Sequence, residues 1–146
     1  MITVLIADDD PDDRMLAIEA LRETGLDAQI ETVSDGRALL DYLRARPPYH
    51  ERPASAFPRL LLIDLKMPSV DGVEALIQIR ADPALQHLPA IVFSTSDEPG
   101  DVLRCYRAGC NAYVRKPATF DQLVTAVRET VRYWLATVEL PPPVAP

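Results

Sequence analysis

Residues 60–72 read Leu-Leu-Leu-Ile-Asp-Leu-Lys-Met-Pro-Ser-Val-Asp-Gly, and this stretch decides the fold. Leu60 to Ile63 is an apolar run without polar alternation. Such a run suits a strand buried on both faces, as in a parallel sheet covered by helices. The carboxylate of Asp64 breaks the run where the strand must end. Pro68 interrupts regular structure, and Asp71-Gly72 opens a helical pattern that reaches Arg80. The segment is therefore a strand, an acidic strand end, a loop and a helix.

The same unit recurs on either side. Thr3 to Ala7 is a first strand that ends on Asp8 and Asp9. Asp10 offers an N-cap, Pro11 suits a first helical turn, and Leu16, Ala17, Ala20 and Leu21 form a stripe that Gly25 ends. Ala28 to Val33 is a weaker strand, interrupted by Glu31 and Thr32. Ser34 or Asp35 then caps a second helix with Leu39, Leu40 and Leu43 inward. Downstream, Ala90 to Phe93 is a fourth strand with Ser94 at its end. Pro99 to Ala108 is a fourth helix stopped by Gly109, and Ala112 to Val114 is a short fifth strand followed by Lys116. From Thr119 to about Ala136, the apolar residues Phe120, Leu123, Val124, Val127, Val131, Trp134 and Leu135 share one helical face. Strict alternation implies right-handed crossovers and a parallel sheet with helices on both sides. Periodicity reaches only this class, a doubly wound α/β fold. Five strands in such a sheet commonly take the order 2-1-3-4-5, with a site at the carboxyl ends of strands 1 and 3.

The 146 residues suit one domain, expected over 1–136. Four prolines, Pro47, Pro48, Pro53 and Pro58, make 47–58 a long surface loop, and 137–146 is expected to be a flexible proline-rich tail. A hydrophobic fraction of 48% and a charged fraction of 25% are those of a soluble globule. No apolar run is long enough to span a bilayer, and the acidic turn after Ala7 excludes a signal peptide, so the cytoplasm is the expected compartment. A net charge of -7 without a basic patch speaks against nucleic acid as a partner. Cys105 and Cys110 are expected as reduced, partly buried thiols, and His50 and His87 as solvated loop residues.

Asp8, Asp9, Asp64, Ser94 and Lys116 all sit at or just beyond strand ends, hence on one rim of a parallel sheet. Three carboxylates there repel unless a cation joins them, and oxygen ligands with room for water suit Mg²⁺. A lysine and a hydroxyl complete a pocket able to accept a phosphoryl group on a carboxylate. An acidic helix start explains Asp10, Asp12 and Asp13 without any site. A calcium loop over Asp8, Asp10, Asp12 and Glu19 fails, because Asp13 stands where that loop needs glycine.

Asp8-Asp9, then Asp64-Leu65-Lys66-Met67-Pro68 with Asp71-Gly72, then Ser94 and Lys116-Pro117, resembles the receiver domain of two-component response regulators. The resemblance covers residues 1 to about 136. It implies a flavodoxin-like fold, Asp64 as phosphoacceptor, Asp9 as direct metal ligand and Asp8 as a ligand through water. It also implies the Lys66 backbone carbonyl in the metal shell, Lys116 on the phosphoryl group, and Ser94 and Tyr113 as a switch pair. Lys66 and Ser96 match positions that tune the lifetime of the phosphorylated state, and the Lys116–Pro117 bond is expected cis. Asp35-Gly36 with Asp41-Tyr42-Leu43, the long proline-rich loop, Ser94-Thr95-Ser96 and Tyr133-Trp134 resemble, more narrowly, stand-alone receivers serving bacterial phytochrome kinases. The implied partner is a sensor histidine kinase, with a bacteriophytochrome as the specific candidate. Val131, Tyr133, Trp134 and Leu135 at the end of a long last helix suggest a homodimer interface. Two alternatives remain at this point. One is a phosphatase of the haloacid-dehalogenase type, whose motif is broken after Asp8-x-Asp10. The other is a pseudo-receiver that binds without phosphorylation.

Overall fold

In the computed structural model, which describes residues 1–143, five strands alternate with five α-helices. They are β1 (Ile2–Ala7), α1 (Pro11–Glu23), β2 (Ala28–Val33), α2 (Gly36–Leu43), β3 (Leu60–Asp64), α3 (Gly72–Ala81), β4 (Ala90–Ser94), α4 (Pro99–Ala108), β5 (Ala112–Arg115) and α5 (Phe120–Arg132). The strands form one parallel sheet in the order β2-β1-β3-β4-β5, the flavodoxin-like arrangement expected.

Two cores explain why β1, β3 and β4 read as unbroken apolar runs. Strand side chains alternate between faces, and here both faces are covered. Leu5, Leu61, Ile63 and Val92 pack against α2, α3 and α4. Val4, Ile6, Leu60, Leu62, Ile91 and Phe93 pack against α1 and α5. Burying one such side chain contributes roughly 1.5–3 kcal/mol, so these runs hold the site's scaffold.

The loop after Asp64 is fixed by two close approaches. A Cβ on Gly72 would lie 2.5 Å from the Asp64 carbonyl oxygen, so α3 can start against the end of β3 only without a side chain there. The Gly72 N–H donates to the Leu65 carbonyl at 2.7 Å. A Cβ on Gly36 would collide with the Val70 backbone. The Ser69 hydroxyl meets the Asp35 carboxylate at 3.4 Å and accepts from the Arg37 N–H at 3.2 Å. The Asp35-Gly36 pair thus latches the start of α2 onto the β3–α3 loop.

Four expectations need correction. The last helix is α-helical only to Arg132 and continues as a π-helical turn over Tyr133–Thr137. Val131 is fully buried and offers no surface to a partner, because α5 turns it onto the sheet. The tail is not free over its described part. Arg59, just before β3, donates to the Pro141 carbonyl at 3.0 Å, and Pro141 to Pro143 lie beside Phe57, Leu88 and Pro89. Residues 144–146 lie outside the described residues. Lys116–Pro117 is trans; among the described residues the cis bond is Pro47–Pro48. The small free-energy gap between isomers of an X–Pro bond lets context, not residue type, decide. The 47–58 loop is irregular apart from a short 3₁₀ turn at Ala54–Ala56, and the buried Tyr42 hydroxyl donates to the Ala56 carbonyl at 2.8 Å.

Candidate functional site

Strand ends bring the polar residues together. Asp8 and Asp9 follow β1, Asp64 ends β3, Ser94 ends β4, and Lys116 follows β5. One carboxylate oxygen each from Asp8, Asp9 and Asp64 lies within 4.8 Å of the others. Asp8 is buried, Asp64 half-buried and Asp9 exposed. The Asp10 N–H donates to Asp8 Oδ1 at 3.0 Å and so fixes that carboxylate. The Lys66 N–H reaches Asp64 Oδ1 at 3.4 Å. Three hard oxygen donors with one open side fit a divalent cation that keeps several waters.

Lys116 sits among these groups. Its Nζ donates to Asp8 Oδ2 at 2.8 Å, to Asp13 Oδ2 at 2.8 Å and to Asp64 Oδ2 at 3.3 Å. Ile6, Leu62, Phe93 and Leu123 form an apolar bed around this cluster, which strengthens charge interactions there. Burial pushes the Asp64 carboxyl up to about 6; Lys116 opposes the rise and Asp8 adds to it. Burial works against the Lys116 charge, but hydrogen bonds to Asp13 and Asp8 and the charge of Asp64 outweigh it and hold the ammonium protonated. The rim holds four carboxylates and one ammonium, which touches three of them, so it carries excess negative charge that a metal can relieve.

Asp13 is the residue that sequence reasoning missed. It reads as part of an acidic helix start, yet it shares Lys116 with Asp64. One signal was available: stepping back a turn along the buried stripe Ala20, Ala17 and Leu16 reaches Asp13, on the core side of α1.

The Ser94 and Tyr113 positions connect through Ser96. Ser94 is 1% exposed, and its Oγ accepts from the Ser96 N–H at 3.2 Å. The Tyr113 hydroxyl donates to the Ser96 carbonyl at 2.7 Å. Ser96 Oγ donates to Asp101 Oδ2 at 2.7 Å and accepts from the Glu98 N–H at 3.3 Å, which commits its hydroxyl to the start of α4. Lys66 is exposed, two residues after Asp64. Tyr133 stands 54% exposed, whereas Trp134 and Leu135 pack partly onto the α1/α5 core. Both cysteines are buried and free; burial pushes the Cys105 thiol up to about 11 and also raises Cys110.

A doubly wound sheet with an acidic triad and a lysine at its carboxyl rim is the arrangement that the receiver resemblance implies. Residues 4–128 match the response regulator receiver domain, and the chain belongs to that family. It is 37% identical over 140 residues to the probable methanogenesis regulatory protein FilR2 of Methanothrix harundinacea, covering 96% of this chain and 88% of that protein. It is 32% identical over 138 residues to the response regulator Rcp1 of Synechocystis, covering 94% and 92%. The Mn²⁺-bound form of Rcp1 superposes with a TM-score of 0.90 at 31% identity, covering 97% of this chain and 99% of that one. The phosphorylated cyanobacterial phytochrome response regulator RcpA gives a TM-score of 0.90 at 34% identity, covering 96% and 98%. The chain is thus a response regulator receiver homologous to phytochrome response regulators, and the haloacid-dehalogenase alternative falls away. Among the described residues, no helix is long and apolar enough to cross a membrane.

Proposed function

We propose that this chain relays a signal in the cytoplasm by carrying a phosphoryl group on Asp64, received from the phosphohistidine of a sensor kinase. The observation that carries this reading is the convergence of Asp8, Asp9, Asp64 and Lys116 on one rim. Asp64 attacks phosphorus, and Lys116 is within reach to balance charge on a phosphoryl oxygen. Mg²⁺ is the proposed cation: Asp9 and Asp64, the Lys66 carbonyl and, through water, Asp8 would hold it, and it would offset charge on the transferring oxygens. The chain's own chemistry is then limited to taking the group from its donor and later hydrolysing it, with Lys66 and Ser96 setting the decay. Ser94 and Tyr113 pass the change to the face of α4, β5 and α5.

That face supports a homodimer as the output state. Leu103 and Tyr106 of α4 stand exposed, as does Tyr133 beyond α5, and the Tyr113 N–H donates to the Tyr106 hydroxyl at 3.1 Å. A bacteriophytochrome is the proposed kinase. The likeness to RcpA, a phytochrome response regulator, and to Rcp1 supports it. Incubation with acetyl phosphate and Mg²⁺ is expected to add one phosphoryl mass to the wild type and none to Asp64→Asn. Undiminished labelling of that variant overturns the assignment. Transfer from a phytochrome kinase and none from unrelated kinases is the expected pattern for the partner.

A further inference from the structure

Lys116 has three N–H bonds to give, and all three are committed, to Asp8, Asp13 and Asp64. The two shorter contacts, 2.8 Å each, pull the ammonium toward β1 and α1; the contact to Asp64 is 3.3 Å. A phosphoryl oxygen arriving on Asp64 needs one of those bonds released. Asp8 is a poor candidate. It is buried, and its other oxygen already accepts the Asp10 N–H. Asp13 stands outside the acidic triad, and its side chain is 23% exposed, so water can solvate it once the lysine leaves. Among the described residues its carboxylate bonds Lys116 alone.

We propose that Asp13 is a positioning residue that holds the Lys116 ammonium back from the acceptor in the resting state, and so sets how fast Asp64 is phosphorylated. With Asp64 as the acceptor, on which this inference rests, the transfer from acetyl phosphate is balanced. A carboxylate oxygen of Asp64 forms a bond to phosphorus as the bond from phosphorus to the acetyl oxygen breaks. Acetate leaves with that electron pair, and no proton is required. Lys116 must cross from Asp13 to the transferring group during this step. In the later hydrolysis, water attacks phosphorus and the Asp64 carboxylate leaves with the electron pair of the broken O–P bond; the lysine starts that step on the phosphoryl group, with Asp13 already released. Asp13 therefore acts on the forward rate and not on the decay. Replacing a charge-assisted acceptor by a neutral one weakens its hold on the ammonium by about half.

The test measures labelling by acetyl phosphate with Mg²⁺, and decay after the donor is removed, by intact mass. Asp13→Asn is expected to label roughly three- to tenfold faster, in line with losing part of one charged hydrogen bond. Its decay time should stay within about twofold, since the phosphorylated state no longer uses the Asp13 contact. A merely structural residue moves stability without splitting the two rates. Asp13→Glu keeps the charged acceptor and should restore the wild-type rate. Asp12→Asn removes an equal charge one position away and should leave both rates unchanged. Labelling of Asp13→Asn at or below the wild-type rate overturns the inference, and so does an equal gain in Asp12→Asn, which would assign the effect to general charge. A wild type that takes no phosphoryl group removes the proposed function itself and this inference with it.

Discussion

Asp64 carries an electrostatic cost that can be read without any donor. Its ordinary value is 3.8, and the folded protein holds it at about 6. Between these values the unfolded chain gives up a proton that the folded chain keeps. Stability of the metal-free protein is therefore highest, as far as this group is concerned, below the ordinary value, and it is lost as pH rises through about 6. Asp64→Asn should flatten that slope and raise the melting temperature at neutral pH by roughly 2–6 °C, an order-of-magnitude figure for a domain of this size. A melting curve that keeps its slope between those pH values in the variant counts against the burial argument. The cysteines make a second residue-scale case: with thiol values pushed up inside the core, both should react with an alkylating reagent only on unfolding. Most of the site was legible because its residues lie at strand ends, where a parallel sheet must bring them to one rim. Asp13 was not, because the first turn of a helix welcomes acids for reasons of its own.

At the scale of elements, boundaries followed punctuation. Pro99 and Gly109 fixed α4, and Asp71 capped α3, its carboxylate accepting from the Glu74 N–H at 2.9 Å. The end of α5 carried no such mark, and periodicity alone could not distinguish an α-helical from a π-helical last turn. The trans Lys116–Pro117 bond was equally out of reach, since the chain around it decides the isomer. The β3–α3 loop offers a sharp test of how an element positions Asp64. Gly72→Ala forces α3 away from the Asp64 carbonyl or strains the start of the helix. The expected loss is about 1–3 kcal/mol, the range for overpacking a tight site. It should be accompanied by slower labelling of Asp64, because the strand end moves with the helix. A denaturation midpoint equal to wild type would show that the helix start yields freely.

For the whole molecule, charge and topology act together. The net charge is -7, and four carboxylates of that total share one rim with one lysine. A cation that binds only the folded form stabilises it by mass action, by about 2.7 kcal/mol at a hundred times its dissociation constant. Millimolar-range Mg²⁺ should thus raise the wild-type melting temperature, while Asp9→Ala should respond little; an equal response from both would separate the stabilisation from this rim. At the opposite pole Arg59, just before β3, donates to the Pro141 carbonyl. Composition announced a loose tail there, because proline runs carry no packing signal of their own. An arginine 82 residues away supplied the partner.

Trp134 is the chain's one tryptophan, and it lies in the π-helical turn, half-buried, with the Tyr133 ring edge-on at 5.9 Å. Excited at the red edge of indole absorption, where the five tyrosines do not absorb, the protein therefore has a single emitter. Its colour and its quenching by iodide report the far end of α5 and nothing else. Events at the Asp64 rim become visible in this signal only if they travel the length of that helix.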